Sequence, residues 1–268
     1  MMRILLAIVI LATISSCNPD VDATFHSQIV VQGFLYANEP LDSIVVRRTL
    51  TLDTKNRDDR LTGATVTIST SDTSVQLIES TPPGRYVTSS PFTIHAGTTY
   101  QLLVARNGYT TAQATTTVPL PIHIDSAKLG NTPLADSIVF DVTLSSAPIH
   151  LWWSTSPGCA GYGLETLALD TTNYYPITYT GGTSLPDSNA FGRYRFFILS
   201  TDEQILWQQF RFYGPNVIRA LALDQNYQDY ILGLFLSGSQ FNNSTLHVTG
   251  GLGVFASAAR ASKNVFLK

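Results

Sequence analysis

Cysteine is nearly missing from this chain: of 268 residues, Cys17 and Cys159 alone carry a thiol. That excludes a framework of several disulfides, so stability must come from a packed core. Charge is sparse as well, with 13% Asp, Glu, Lys and Arg and a formal net charge of −3. No basic cluster occurs, which argues against nucleic acid as a partner. No apolar run near the amino terminus reaches the roughly 20 residues that a membrane-spanning helix needs; residues 4–12 supply about half of that.

Catalytic signatures are missing too. His26, His95, His123, His150 and His247 stand apart, without an H-E-x-x-H pair or metal-ligand spacing. No G-x-S-x-G elbow occurs, because Gly238-Ser239-Gln240 has the wrong spacing. Gly250-Gly251-Leu252-Gly253 lacks the lysine and the following helix of a phosphate loop. A strand passing close to another backbone explains those glycines better. Asp53, Asn56, Asp58 and Asp59 offer oxygens, but Lys55, Arg57 and Arg60 interrupt any calcium set. Asp202-Glu203 are adjacent and suit a strand-connecting turn. Cys159, in Ser156-Pro157-Gly158-Cys159, has no histidine beside it in sequence and reads as a small, buried loop residue. The expectation is a protein that is not an enzyme, with no cofactor and no metal. A hydrolase built from distant loops would need a cleft of convergent Asp, Glu or His side chains, or Cys159 as its nucleophile.

What is present begins at Cys17. It follows Arg3, a short apolar segment and the small run Ser15-Ser16. Length and flanks fit a cleaved signal rather than an anchor helix. The segment resembles a lipobox, in which the thiol takes a diacylglycerol before cleavage and the new amino terminus is then acylated. One chain binds a bilayer marginally, at about 0.8 kcal/mol per buried methylene, whereas two or three hold indefinitely. Residues 1–16 are therefore expected to be the signal peptide and 17–27 a lipid-anchored tether. The expected location is the outer membrane, with the periplasmic or cell-surface side undecided. Asp20 and Asp22 resemble surface-export signals of Bacteroidota lipoproteins.

The rest reads as mainly β. Abundant Ser and Thr, scattered Gly and Pro and low charge describe an extracytoplasmic β protein. In Gly63-Ala64-Thr65-Val66-Thr67-Ile68-Ser69 the apolar residues take one face and the hydroxyls the other, which marks a half-buried strand. Asn107-Gly108 is a hairpin signal, since both residues tolerate positive φ. Residues 28–118 hold seven such short strands, the pattern of an immunoglobulin-like or transthyretin-like β-sandwich. Val118-Pro119-Leu120-Pro121 sets a boundary, because prolines cannot join a central strand. Residues 122–255 predict a second β-rich domain, with strands at 137–144, 149–154, 174–180, 193–199, 204–213 and 245–248. One helix is expected near 224–236, capped by Asp224 and ended by Gly238, with Tyr227, Tyr230, Ile231, Leu234 and Phe235 at helical spacing. Residues 256–268 read as a frayed C-terminal tail.

Two residue patterns suggest sites. Trp152-Trp153 and Tyr174-Tyr175 are consecutive aromatics, so each pair should point to opposite faces of a strand. Most aromatics of a β domain form core, but an exposed ledge of Trp152, Trp153, Tyr174 or Tyr175 would suit a glycan. Asp42-Ser43, Asp125-Ser126, Asp136-Ser137 and Asp170-Thr171, each followed by a small or apolar residue, resemble Bacteroidota O-glycosylation sites at Ser43, Ser126, Ser137 and Thr171. The plain alternative is turn chemistry at strand starts.

Taken in order, the lipobox, Ile29-Val30-Val31-Gln32-Gly33-Phe34-Leu35, Leu61-Thr62-Gly63-Ala64-Thr65-Val66, Gly84-Arg85-Tyr86, Gly97-Thr98-Thr99-Tyr100, the Tyr-rich helix and Gly250-Gly251-Leu252-Gly253-Val254-Phe255 resemble one family. It is the Bacteroidota outer-membrane lipoproteins of domain-of-unknown-function family 4249. The resemblance implies a non-catalytic accessory lipoprotein, often encoded beside a TonB-dependent outer-membrane receptor, with no established catalytic residues. Members soon end after the glycine run; here about a dozen residues follow Phe255.

Overall fold

Strict alternation of apolar and polar residues builds the first half. β1 (Ile29–Tyr36), β2 (Ile44–Arg48), β3 (Thr65–Ser69), β4 (Ser74–Ser80), β5 (Arg85–Val87), β6 (Thr99–Ala105) and β7 (Ala112–Thr117) are the expected short strands. Ile29, Val31, Leu35, Ile44 and Val46 face Val66, Ile68, Tyr100, Leu102 and Val104 in one buried cluster. Each such aliphatic side chain contributes roughly 1.5–3 kcal/mol when fully buried. β4 pairs with β3 along its first part and with β5 through Ile78–Ser80, so it passes from one layer of the sandwich to the other.

The second half contains β8 (Ile124–Leu129), β9 (Thr132–Pro133), β10 (Ser137–Ile138), β11 (Ile149–Trp153), β12 (Gly161–Ala168), β13 (Arg193–Ile198), β14 (Asp202–Ile205), β15 (Gly214–Leu223), helix α1 (Gln225–Leu236), β16 (Val248–Thr249) and β17 (Leu252–Leu267). The computed structural model describes residues 25–51, 58–141, 147–177, 193–236 and 247–268. Cys17, Asp53, Asn56 and Gly238 lie outside the described residues, as do the signal peptide and most of the tether. No helix among the described residues is long and apolar enough to cross a membrane.

Among the described residues thirteen strands form one sheet: twelve in the path β13-β12-β15-β17-β1-β2-β5-β4-β3-β6-β7-β16, and β10 added on β17. β14, β11, β8 and β9 make a separate four-stranded sheet. β15 and the first part of β17 are covered on both faces, and β12 packs on the small-sheet side. One face packs Ala220, Ala222, Ala259 and Leu164 against Ile149, Leu151, Trp153 and Ile205 of the small sheet. The other packs Leu221, Leu223, Ala256 and Ala258 beneath Tyr227 and Ile231 of α1.

β17 corrects the expected frayed tail. It is a 16-residue strand that runs parallel to β1 and antiparallel to β15. Val254–Ala259 are buried on both faces and mostly small, so that part of the strand shows no period to read. The glycine run that leads into it behaves as expected, with Gly253 already inside the strand. A Cβ on Gly250 would strike the Thr111 carbonyl and one on Gly253 the Val31 carbonyl, and both glycines hold positive φ.

Other expectations shift for similar reasons. β12 and β15 were not foreseen; nearly every residue of both is buried, so alternation is lost. The strand expected at 137–144 is reduced to Ser137–Ile138, with residues 142–146 outside the described set. Tyr174 and Tyr175 lie in an irregular segment held by a single bridge from Pro176 to Phe212. The strand expected at 204–213 breaks after Ile205 into a 3₁₀ turn at Trp207–Gln209. Asp202-Glu203 do not form a turn but open β14.

Candidate functional site

Helix α1 begins where three elements meet. Asp224 Oδ1 accepts the Tyr227 N–H at 2.9 Å, which caps the helix, and the Ser257 N–H of β17 at 3.1 Å. Its other oxygen accepts the hydroxyl of Thr116 on β7. The Ser257 hydroxyl lies 2.7 Å from Thr116 Oγ1 and 3.1 Å from the Thr117 carbonyl. Asn226 donates both amide hydrogens, to the Thr115 carbonyl at 2.7 Å and to the Phe255 carbonyl at 2.8 Å. Side chains thus stitch β7 to β17 where the two strands do not pair. Burial pushes the Asp224 carboxyl above the ordinary 3.8, against the pull of the groups that donate to it.

Two cavities open on this seam. One, of about 410 Å³, is bounded by Thr115, Thr117, Leu120, Pro157, Gln225 and Asn226. The second, of about 530 Å³, is bounded by Gln113, Thr115, Asn226, His247 and Thr249. They share Thr115 and Asn226 and so lie side by side along the groove between β7 and α1, with the Asn226 amide reaching the Thr115 carbonyl where they meet. His247 Nε2 sits 2.6 Å from Asp229, and Asp229 also accepts the Gln225 amide at 2.8 Å. The groove was not foreseen in the sequence. Only the expected cap at Asp224 pointed to this place.

The expected aromatic ledge is divided. Trp153 is buried against Tyr162 in the core, at 2% exposure, which removes it from any ligand surface. Trp152 points to the opposite face of β11, half-buried, as consecutive strand residues must. Its ring stacks 3.7 Å from His150, and the Lys128 ammonium lies 5.5 Å from its centroid. His150 in turn meets Asp202 at 3.0 Å. Tyr174 leaves this face altogether: it lies against Gly214 and edge-on to Phe266. Tyr175 is exposed.

The remaining candidates sort by environment. His123 pairs with Asp125 at 2.8 Å. Asp58 and Asp59 are held by Arg60 and Arg47 at 2.7 and 2.9 Å. The hydrogen bonds from Arg60 pull the Asp58 carboxyl down to about 2. Among the described residues no cluster of His, Cys, Asp or Glu is placed to hold a metal ion. Cys159 is half-buried in its turn beside the Tyr162 phenol, which burial pushes upward. Ser137 and Thr171 are exposed, whereas Ser43 and Ser126 are half-buried. Asp170 accepts the Thr172 and Asn173 N–H groups at 2.9 Å, so turn chemistry accounts for that aspartate.

These features define a mainly β protein whose first half is a sandwich, with one α-helix among the described residues. Residues 14–264 match the family model described as a domain of unknown function, DUF4249, and the chain belongs to that family. No curated protein sequence matches it significantly. A solved structure of a 1.5-MDa bacterial ice-binding adhesin aligns at 8% identity over 90% of this chain and 64% of that one, with a TM-score of 0.25. The FN1–FN3 domains of chicken CNTN1 align at 14% identity over 89% of this chain and 66% of that one, with a TM-score of 0.22. The chain thus spans 64% and 66% of these two structures' own lengths, and scores this low carry no functional argument.

Proposed function

We propose that this protein is a lipid-anchored, non-catalytic accessory component of a bacterial outer membrane, working beside a TonB-dependent receptor or nutrient-uptake system. The observation that carries the reading is Cys17 at the end of its small-residue run. Acylation there leaves eight residues to the first described position, Phe25. Fully extended, that span is at most about 29 Å, and about 43 Å to the start of β1 at Ile29, which bounds how far the sheet can stand from the lipid. Membership of DUF4249 supports the reading through the order of motifs rather than through any assigned activity. The test is a crosslinked pull-down of the tagged, acylated chain. It should recover a β-barrel receptor, and Cys17→Ala should release the protein from the membrane fraction. Recovery of no membrane protein would remove the receptor association, and a Cys17→Ala variant that still fractionates with membranes would remove the anchor.

A second reading, binding of a glycan, is favoured by one observation. The groove at the α1 amino terminus is lined by amides and hydroxyls, and its ionisable groups are already paired within the protein. Sugars are recognised by such groups. The half-buried Trp152, with His150 stacked on it, is the competing glycan surface.

A further inference from the structure

We propose that the groove between β7 and α1 is the site of glycan binding, and that its ligand is a neutral oligosaccharide chain. The inference rests on the glycan reading above and moves it from the paired aromatics to a place with different chemistry.

Charge decides the ligand class. Asp224 is saturated by Thr116, Tyr227 and Ser257. Asp229 is occupied by His247 and Gln225. Among the described residues no unpaired cation lines the groove to meet a phosphate or carboxylate, so an anionic ligand would lose its hydration without compensation. What the walls offer is neutral: exposed Gln113, Thr115, Thr117 and Thr249 from the strands, and Gln225 and Asn226 from the helix. On β7 these side chains recur every second residue, about 7 Å apart. With both amide hydrogens used, Asn226 keeps its Oδ1 as an acceptor.

The two ends of the groove differ. The His247 end is polar, whereas the other end adds Val118, Pro119, Leu120 and Pro157, and Leu120 is 43% exposed. Hydroxyl edges and apolar C–H faces are what a pyranose presents. A peptide strand fits less well. β16 already pairs with Gln113 and Ala114, Asn226 takes the Thr115 carbonyl and Ser257 the Thr117 carbonyl, so the β7 edge has little left for an added strand. The walls are also fixed in advance, because the same contacts that cap α1 hold it against β7 and β17. Pre-organisation of this kind lowers the cost of binding.

The test titrates the full acylated chain in detergent with defined neutral hexasaccharides (cello-, xylo-, manno-, malto- and chitohexaose) and with an acidic hexagalacturonate as control. Thr115→Arg fills the shared part of the groove with a bulky charge at an exposed position. Gln113→Ala removes one neutral contact, and Trp152→Ala alters the competing face. At least one neutral hexasaccharide should bind; Thr115→Arg should weaken it by about tenfold or more, Gln113→Ala by a few-fold, and Trp152→Ala should leave it unchanged. Thermal unfolding of the variants checks that each is folded, and Gln113→Ala keeps the test decisive if Thr115→Arg is not. Binding lost in Trp152→Ala but kept in both groove variants overturns the groove and leaves the glycan reading standing. Preference for hexagalacturonate overturns the neutral-ligand assignment. Silence toward every sugar up to about 10 mM ends both the groove and the glycan reading, while the anchored-accessory reading stands or falls on its own pull-down.

Discussion

The halves before and after Pro121 are built on different economies of polarity. In the first, the buried core is apolar, with Thr116 the single buried polar residue among those described. In the second, Ser156, Glu165, Thr166, Gln209, Arg211, Asn216, Asp224 and Ser257 are buried. Thr116 is also the residue that reaches across to Asp224. The difference teaches that the halves are joined by specific hydrogen bonds laid over a shared strand, and the groove opens along that join. Buried polar groups cost stability unless satisfied, and satisfied ones fix a unique arrangement.

Substitutions that break the shared strand should have the largest effect. Gly253→Val places a branched side chain at φ +108 against the Val31 carbonyl. A loss of about 4–6 kcal/mol is expected, read by urea unfolding. Phe255→Ala comes next. Phe255 is the one residue beyond Pro121 in the buried part of the first core, so its loss should cost about 3–5 kcal/mol and lower the stability of both halves in one transition. Two separate transitions would break the comparison.

The seam sharpens it. Asp224→Ala removes the α1 cap and strands the Thr116 and Ser257 donors, at about 2–4 kcal/mol. Asp224→Asn keeps the acceptor and should cost under about 1 kcal/mol at neutral pH. The folded carboxyl titrates above 3.8, so the folded state holds its proton more tightly than the unfolded chain. Its contribution is therefore complete below the unfolded value and is lost as pH rises through the raised one. Asp224→Asn should flatten that slope in denaturation curves taken across the acid range. The smallest effect belongs to the exposed first half. Arg60→Ala should let the Asp58 carboxyl climb from about 2 toward 3.8 in an NMR titration, with the melting curve barely moved.

The same contrast explains what the sequence made legible. The strands of the first half alternate because one face of each meets a single core and the other meets water, so Val66 and Ile68 announced themselves. The Asp224 cap and the Tyr227–Ile231 face of α1 were readable for a similar reason, as were the close-approach glycines leading into β17. β12, β15 and the first part of β17 were not readable, because strands with nearly every residue buried show no period. The Ala-rich residues after Phe255 looked like a loose tail for that reason alone. The groove stayed hidden because Thr115 and Asn226 stand 111 residues apart and meet only through tertiary packing. The aromatic pairs were legible as pairs but not as a site, since sequence fixes that Trp152 and Trp153 diverge and not which of them the core takes.

Native-state hydrogen exchange on the full acylated chain tests the join most directly. If β17 holds both halves together, the amides of β1, β7, β15 and β17 should exchange with one common free energy of opening, and Phe255→Ala should lower all of them alike. Full protection persisting in β1 and β7 of that variant while β15 and β17 exchange freely would contradict the account.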